Sequence, residues 1–352
     1  MALTPIDLKS PIPNSGTRLL RSAYAVAAAG LLLSGCSTSG ASAPTRSQTS
    51  SPSTSRPASP ASPAQTVAVT ASMASFALPE AVSRPTVFAA GEGLLVVGGL
   101  NKADTTTQAI LRVALPGGST TPAGRLPVPV HDAAGAVVNG RDVVFGGGST
   151  AVTSAVQDVT PGSPPRVISH LPQPRADLVA ASDGTAGYVL GGYDGVRGST
   201  AILRTRDGRT FAVAGTLPVA VRYPAVAVSA GAIWLFGGEL DGTQVADVQR
   251  IDLATGQGRV VGHLPAPLAH AGAFTLAGQV FVAGGRLAAT ATDQVLRFDP
   301  ANLRFTAGGH LPAGRSDFGV TVVGDTAYLV GGESPKPVDT VIQVRVKAGG
   351  TP

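Results

Sequence analysis

Residues suited to binding or acid–base chemistry recur at two fixed places in this chain. One set follows a repeated Leu-Pro: Arg84, His131, Arg175, Arg222, His270 and Arg315, with Asp132, Asp177, Tyr223 and Asp317 beside them. The other follows a repeated Gly-Gly: Tyr193, Asp194, Glu239, Asp241, Arg286 and Glu333. Cations with carboxylates nearby suit an anionic or sugar-like ligand, held by charge and by convergent polar groups. The competing use is structural, since alternating Arg and Asp neutralise one another and tie neighbouring units together. Either use depends on elements that gather residues far apart in sequence onto one surface.

Those elements are written in the repeat. The Gly-Gly pairs begin at Gly98, Gly146, Gly191, Gly237, Gly284 and Gly331, at intervals of 48, 45, 46, 47 and 47. The Leu-Pro dipeptides begin at Leu78, Leu126, Leu171, Leu217, Leu264 and Leu311, at the same intervals. A single glycine precedes each pair by six or seven residues (Gly91, Gly140, Gly184, Gly231, Gly278, Gly324), which reads as a hairpin turn needing positive φ. Six units too small to bury a core alone, stacked at this period, predict an all-β, six-bladed β-propeller.

In the fifth unit the pattern places four strands at about 270–277, 279–283, 293–299 and 303–309. The first strand of each unit is built from small residues, as in Ala133–Val138 or Ala225–Val228, as expected where blades taper toward an axis. The last unit stops after a third strand at Val338–Val346, whereas Thr66–Ala77 precedes the first Leu-Pro without a unit of its own. The N-terminal segment is therefore expected to supply the missing outer strand and close the ring, which removes an exposed sheet edge.

Two of these marks, with their neighbours, resemble the kelch repeat. Tyr188-Val189-Leu190-Gly191-Gly192-Tyr193-Asp194-Gly195 and Ile233-Trp234-Leu235-Phe236-Gly237-Gly238 resemble its aromatic–Gly-Gly strand, and Val295–Pro300 its third strand with an Asp-Pro turn. The resemblance covers 65–346; the late tryptophan of kelch units is missing, with Phe211 and Phe305 in its place. It implies that the Arg or His opening the inner strand bridges adjacent blades.

The N-terminus carries a separate signal. Lys9, Arg18 and Arg21 precede an apolar run from Ala23 to Leu33, too short for a permanent membrane span. The run ends in Leu33-Ser34-Gly35-Cys36, which resembles a bacterial lipobox and contains the only cysteine. That resemblance implies cleavage before Cys36 and its lipidation, so that residues 1–35 are a signal peptide and the partner at this end is a membrane on its extracytoplasmic side. Residues 36–64 are Ser, Thr, Pro and Ala with few large side chains and read as a disordered tether to the propeller at 65–352.

The net charge of +5 belongs mostly to this leader: residues 1–64 hold five basic residues against Asp7 alone. The remainder holds 21 basic and 20 acidic residues, which gives no reason to expect a nucleic-acid partner.

No catalytic residue is assigned from the sequence, and no cofactor. His170, His263 and His310 end equivalent outer strands in different units and cannot converge on one metal. With the sole cysteine in the leader, the Cys–Tyr chemistry of kelch copper oxidases is excluded. Asp207-Gly208-Arg209-Thr210-Phe211 resembles part of a sialidase Asp-box but reads better as a hairpin turn. The expected function is a lipid-anchored module that binds a protein, glycan or envelope component at the face bearing Arg84, His131, Arg175, Tyr193, Arg222, Glu239, His270, Arg286, Arg315 and Glu333. The alternative is a carbohydrate-active isomerase resembling the sialic acid mutarotases, for which Glu239, Glu333, Arg222 and Arg315 would be on the appropriate face.

Overall fold

The computed structural model describes residues 67–347. The segments expected to be a signal peptide and a tether, with Cys36, fall outside these residues. Each repeat forms a four-stranded antiparallel sheet, and blades 1 to 4 occupy 86–125, 134–170, 176–216 and 225–263. Blade 5 runs Gly272–Leu276, Gln279–Ala283, Gln294–Asp299 and Arg304–His310, within two residues of the sequence expectation.

Blade 6 takes three strands from the C-terminal repeat, Gly319–Val323, Thr326–Val330 and Thr340–Val346. Its fourth is the N-terminal strand Val69–Ala77, which pairs antiparallel with Thr340–Val346 from Val69 opposite Val346 to Ala77 opposite Thr340. The ring is closed by its own N-terminus, as the unmatched ends of the repeat array required.

The hydrophobic core is divided into six clusters, and each lies on a seam rather than inside a blade. One joins Phe88, Leu95 and Ile110 of blade 1 to Val144 and Val159 of blade 2. Another joins Trp234 and Phe236 of blade 4 to Val280, Val282 and Phe298 of blade 5. Leu94, Val96 and Val113 of blade 1 meet Tyr328, Val330 and Val341 of blade 6, so the closing seam is as apolar as the rest. Burying such side chains is worth roughly 1.5–3 kcal/mol each. Because the partner is always the next blade, each blade depends on its neighbours to bury its apolar faces.

The two sequence marks are in contact, which is why they share a register. The second glycine of each pair donates its N–H across a seam: Gly99 to Val130 at 2.9 Å, Gly147 to Arg175 at 2.7 Å, and Gly332 to Val82 at 2.8 Å. The first glycine sits at φ +60 in Gly237, and a Cβ there would overlap the Leu268 carbonyl oxygen and lie 3.1 Å from the side chain of Leu264, the leucine of the next Leu-Pro. That leucine is buried in every repeat. The Gly-Gly is therefore the place where one blade's backbone touches the next, in addition to being a sharp turn.

Candidate functional site

Six residues after the leucine of each Leu-Pro, every blade carries one residue in the left-handed region just before or at the start of its inner strand. They are Arg84, Asp132, Asp177, Tyr223, His270 and Asp317, with φ between 50 and 60. For an L-residue this conformation costs about 1–2 kcal/mol. It is repaid in part by a backbone ring around the axis. Asp177 N–H donates to Asp132 C=O (3.0 Å), Tyr223 to Asp177 (2.9 Å), His270 to Tyr223 (3.1 Å), Asp317 to His270 (3.0 Å) and Arg84 to Asp317 (2.6 Å). The remaining seam, between blades 1 and 2, is spanned by the Arg84 guanidinium donating to the Asp132 carboxylate at 3.0 Å.

The six side chains line one axial pocket of about 120 Å³. One residue further along each inner strand stands an apolar tier of Pro85, Ala133, Leu178, Pro224, Ala271 and Phe318, which forms the pocket floor. The pocket is thus a polar mouth above an apolar channel about 170 Å³ in volume.

The Gly-Gly set supplies the rim. Backbone bridges join Arg222 to Glu239, Ala269 to Arg286 and Ser316 to Glu333, which brings each residue after a glycine pair beside the ring. Glu239 Oε1 lies 3.2 Å from His270 Nε2, and Asp317 Oδ1 lies 2.7 Å from His270 Nδ1. Arg286 donates to both Asp317, at 2.7 Å, and Glu333. Arg84 reaches Asp317 at 3.3 Å and Glu333 at 3.8 Å. Arg222 bonds Asp177 and lies between two rings, 4.5 Å from the centroid of Tyr193 and 5.3 Å from that of Tyr223. Tyr223 stacks on His270 with centroids 4.1 Å apart. His131 is held by Thr106 Oγ1 at 2.8 Å and faces Asp132 at 3.7 Å.

Of the ten face residues expected from the sequence, Arg84, His131, Tyr193, Arg222, Glu239, His270, Arg286 and Glu333 are brought together at this mouth. Arg175 and Arg315 are not. They are 2% and 1% exposed and point into the blade interior. Arg175 donates to the Ala201 carbonyl at 2.9 Å, and Arg315 to Gly331 at 2.7 Å and Thr340 Oγ1 at 2.9 Å. Their position, four residues after the leucine of Leu-Pro, is Val82, Val130, Val221 and Leu268 in the other blades, a wall position. These two arginines tie inner-strand ends to the second and third strands of their own blades. Conversely Asp132, Asp177, Tyr223 and Asp317, noticed in the sequence only as neighbours, are ring members.

This correction reverses the charge of the mouth. Three guanidiniums face five carboxylates there: Asp132, Asp177, Asp317, Glu239 and Glu333. Their protonation follows from the neighbours. Burial pushes Asp132 up to about 7, and Asp177 and Asp317 add to the rise against the opposing pull of Arg84. Burial opposes ionisation of Asp317 too, but the hydrogen bond and charge of His270, with Arg84 and Arg286, hold it below the usual carboxylate range. Burial and Arg84 lower His131, with Asp177 opposing. Burial, then Asp132 and Asp177, raise the Tyr223 phenol, so it stays a neutral donor.

Elsewhere the outer-strand histidines remain apart: His263 pairs with Asp247 at 3.1 Å in blade 4 and His310 with Asp293 at 3.2 Å in blade 5. Among the described residues no three His, Cys, Asp or Glu side chains are grouped to hold a metal. Asp207 accepts from the N–H groups of Arg209 and Thr210 at 2.8 Å each, which closes the hairpin turn expected there.

No sequence-family profile matches this chain. No curated protein matches it by sequence. A solved structure titled "Structure of YjhT" is similar in fold, with a TM-score of 0.68 and 18% identity over 77% of this chain and 99% of that chain. At that identity the likeness concerns architecture alone, and it agrees with the propeller described above.

Proposed function

We propose that this chain is a binding module whose axial mouth receives a hydroxyl-rich glycan group of the cell envelope, with its propeller built from divergent kelch-like units. The observation that carries this reading is the ring of Arg84, Asp132, Asp177, Tyr223, His270 and Asp317 around one small pocket. Guanidinium, phenol and imidazole groups share that ring with carboxylates, so hydroxyls find donors and acceptors at close spacing. The left-handed residues point the same way, because strain repeated at a pocket is a reason to look for function there.

In this reading lipidated Cys36 anchors the module to the outer side of a membrane. A Cys36→Ala chain would then leave the membrane fraction and fail to incorporate a labelled fatty acid. The binding test is a glycan array probed with the wild-type chain and with Arg222→Ala, whose rim guanidinium contributes to the mouth without being buried. Loss of the retained glycans by the variant supports the reading; identical retention by both refutes it.

One observation favours a second reading, an isomerase of the mutarotase type. Asp132 is poised near neutrality while Asp317 is held ionised in the same pocket, and an acid–base pair is what proton transfer at an anomeric centre needs. Proton-exchange NMR on reducing sugars distinguishes it: acceleration of anomer interconversion that Asp132→Asn abolishes would establish catalysis.

A further inference from the structure

Every guanidinium at the mouth is already committed. Arg84 is shared between Asp132 and Asp317, Arg222 is bound to Asp177, and Arg286 is shared between Asp317 and Glu333. A carboxylate is left in surplus. Glu239 meets an imidazole nitrogen and no arginine, so it is the carboxylate of the mouth that no guanidinium offsets, whereas burial keeps Asp132 largely protonated below about 7. An acidic ligand would have to displace one of the paired carboxylates from its arginine and leave it unpaired, which is costly at Asp177 and Asp317, whose side chains are 5% and 2% exposed.

We infer that the group seated in the mouth is an amine-bearing sugar, its ammonium facing the surplus carboxylate and its hydroxyls meeting Arg84, Arg222 and Tyr223. The inference rests on the reading of the mouth as a glycan site and gives that site a charge preference. A lysine side chain from a protein partner would also supply an ammonium, but it carries no acceptor and leaves the guanidiniums and the phenol without new partners. A sugar uses both kinds of group. The apolar tier beneath, with Leu178, Pro224 and Phe318, matches the C–H face of a pyranose ring.

The experiment compares three trisaccharides, the β-1,4 glucosamine trimer with free amines, its N-acetylated counterpart and a uronic acid trimer. Each is titrated calorimetrically into the full chain at pH 6.5. The free-amine trimer is expected to bind at least about tenfold tighter than the other two. Its advantage should shrink as salt is raised from about 50 to about 500 mM, and Glu239→Gln should reduce that advantage over the N-acetylated trimer to under about threefold. Tightest binding by the acidic or N-acetylated trimer, weakened by Arg222→Ala, overturns the charge preference and leaves the mouth as the site. Binding of no trimer, or binding indifferent to Arg222→Ala, overturns the glycan mouth and this inference with it. Native Trp234 fluorescence in each variant separates these results from misfolding.

Discussion

His270 Nδ1 and Asp317 Oδ1 lie 2.7 Å apart across the seam between blades 5 and 6, and the two residues hold the same position in successive repeats, 47 residues apart. The imidazole is gripped on its other nitrogen by Glu239 of blade 4. One side chain thus links three blades at the axis, and Asp317 additionally takes up charge from Arg84 and Arg286. The ring that forms the mouth is also a structural clasp.

Asp317→Ala is therefore expected to destabilise the chain by about 3 kcal/mol, the range for removing one partner of a buried charged network. A double-mutant cycle with His270→Ala, read by urea denaturation, should show coupling above about 1 kcal/mol. Additive effects would mean the contact is geometrically close but energetically idle.

Arg315 and Arg222 are both cations of the Leu-Pro set, yet they should respond differently to loss. Arg315→Met leaves the Gly331 carbonyl and Thr340 without their donor inside blade 6, so it should cost about 2–4 kcal/mol and leave ligand affinity unchanged in the protein that remains folded. Arg222→Ala exposes a rim that is already partly solvated. It also leaves the buried Asp177 carboxylate without its arginine, so it should cost about 2–4 kcal/mol as well, but unlike Arg315→Met it should weaken glycan binding at least about tenfold. Thermal melts paired with titration separate the two.

That contrast shows where the sequence was legible and where it was not. The repeat period, the small inner strands and the unmatched ends led directly to the closed ring, because each follows from backbone geometry that every blade must satisfy. The mouth was less legible. Selecting cations after Leu-Pro mixed three offsets: Arg175 and Arg315 lie four residues after the leucine, His131 and Arg222 five, Arg84 and His270 six. Only the last offset faces the axis, and holding it constant would have returned Asp132, Asp177, Tyr223 and Asp317. Side-chain type misled there because a ring of one backbone conformation accepts acidic, basic and aromatic residues alike.

Asp132 makes the stability pH-dependent with a determinate sign. Its folded-state value of about 7 lies above the ordinary 3.8, so the folded chain binds this proton more tightly than the unfolded chain. The associated stabilisation is complete below pH 4 and is lost as pH rises through 7. Asp132→Asn should accordingly stabilise the chain relative to wild type at pH 8.5, by about 1–3 kcal/mol after the loss of the Arg84 pair is included, and the gap should narrow toward pH 5. Asp142, which burial and Asp158 push up to about 6, titrates in the same sense, and Asp317 in the opposite one. The difference between mutant and wild type at two pH values, not the wild-type profile alone, is therefore the measurement that isolates Asp132.

The N-terminal strand should behave as part of the core. Val69 packs in the cluster between blades 5 and 6, and Ala74 and Phe76 pack against the one between blades 6 and 1. Removing 65–77 opens a four-stranded blade to three and exposes the edge of Thr340–Val346. The expected result is a melting transition lowered by at least about 10 °C, with aggregation through the freed edge. An unchanged midpoint would show that the ring holds without this strand.

The glycine pairs allow a test of why glycine is there. Gly231 sits at φ +70 at a hairpin tip where an added Cβ meets nothing within 4 Å, so Gly231→Ala probes the left-handed backbone alone and should cost about 1 kcal/mol. Gly237 has nearly the same φ, +60, but its Cβ would collide with the Leu268 carbonyl of the next blade. Gly237→Ala should therefore cost about 1–3 kcal/mol more, because the seam must open to admit the methyl group. If the two variants lose equal stability, the pair exists for its turn. If Gly237→Ala loses more, the repeat is conditioned by the distance between blades, and the shared register of Gly-Gly and Leu-Pro follows from that contact.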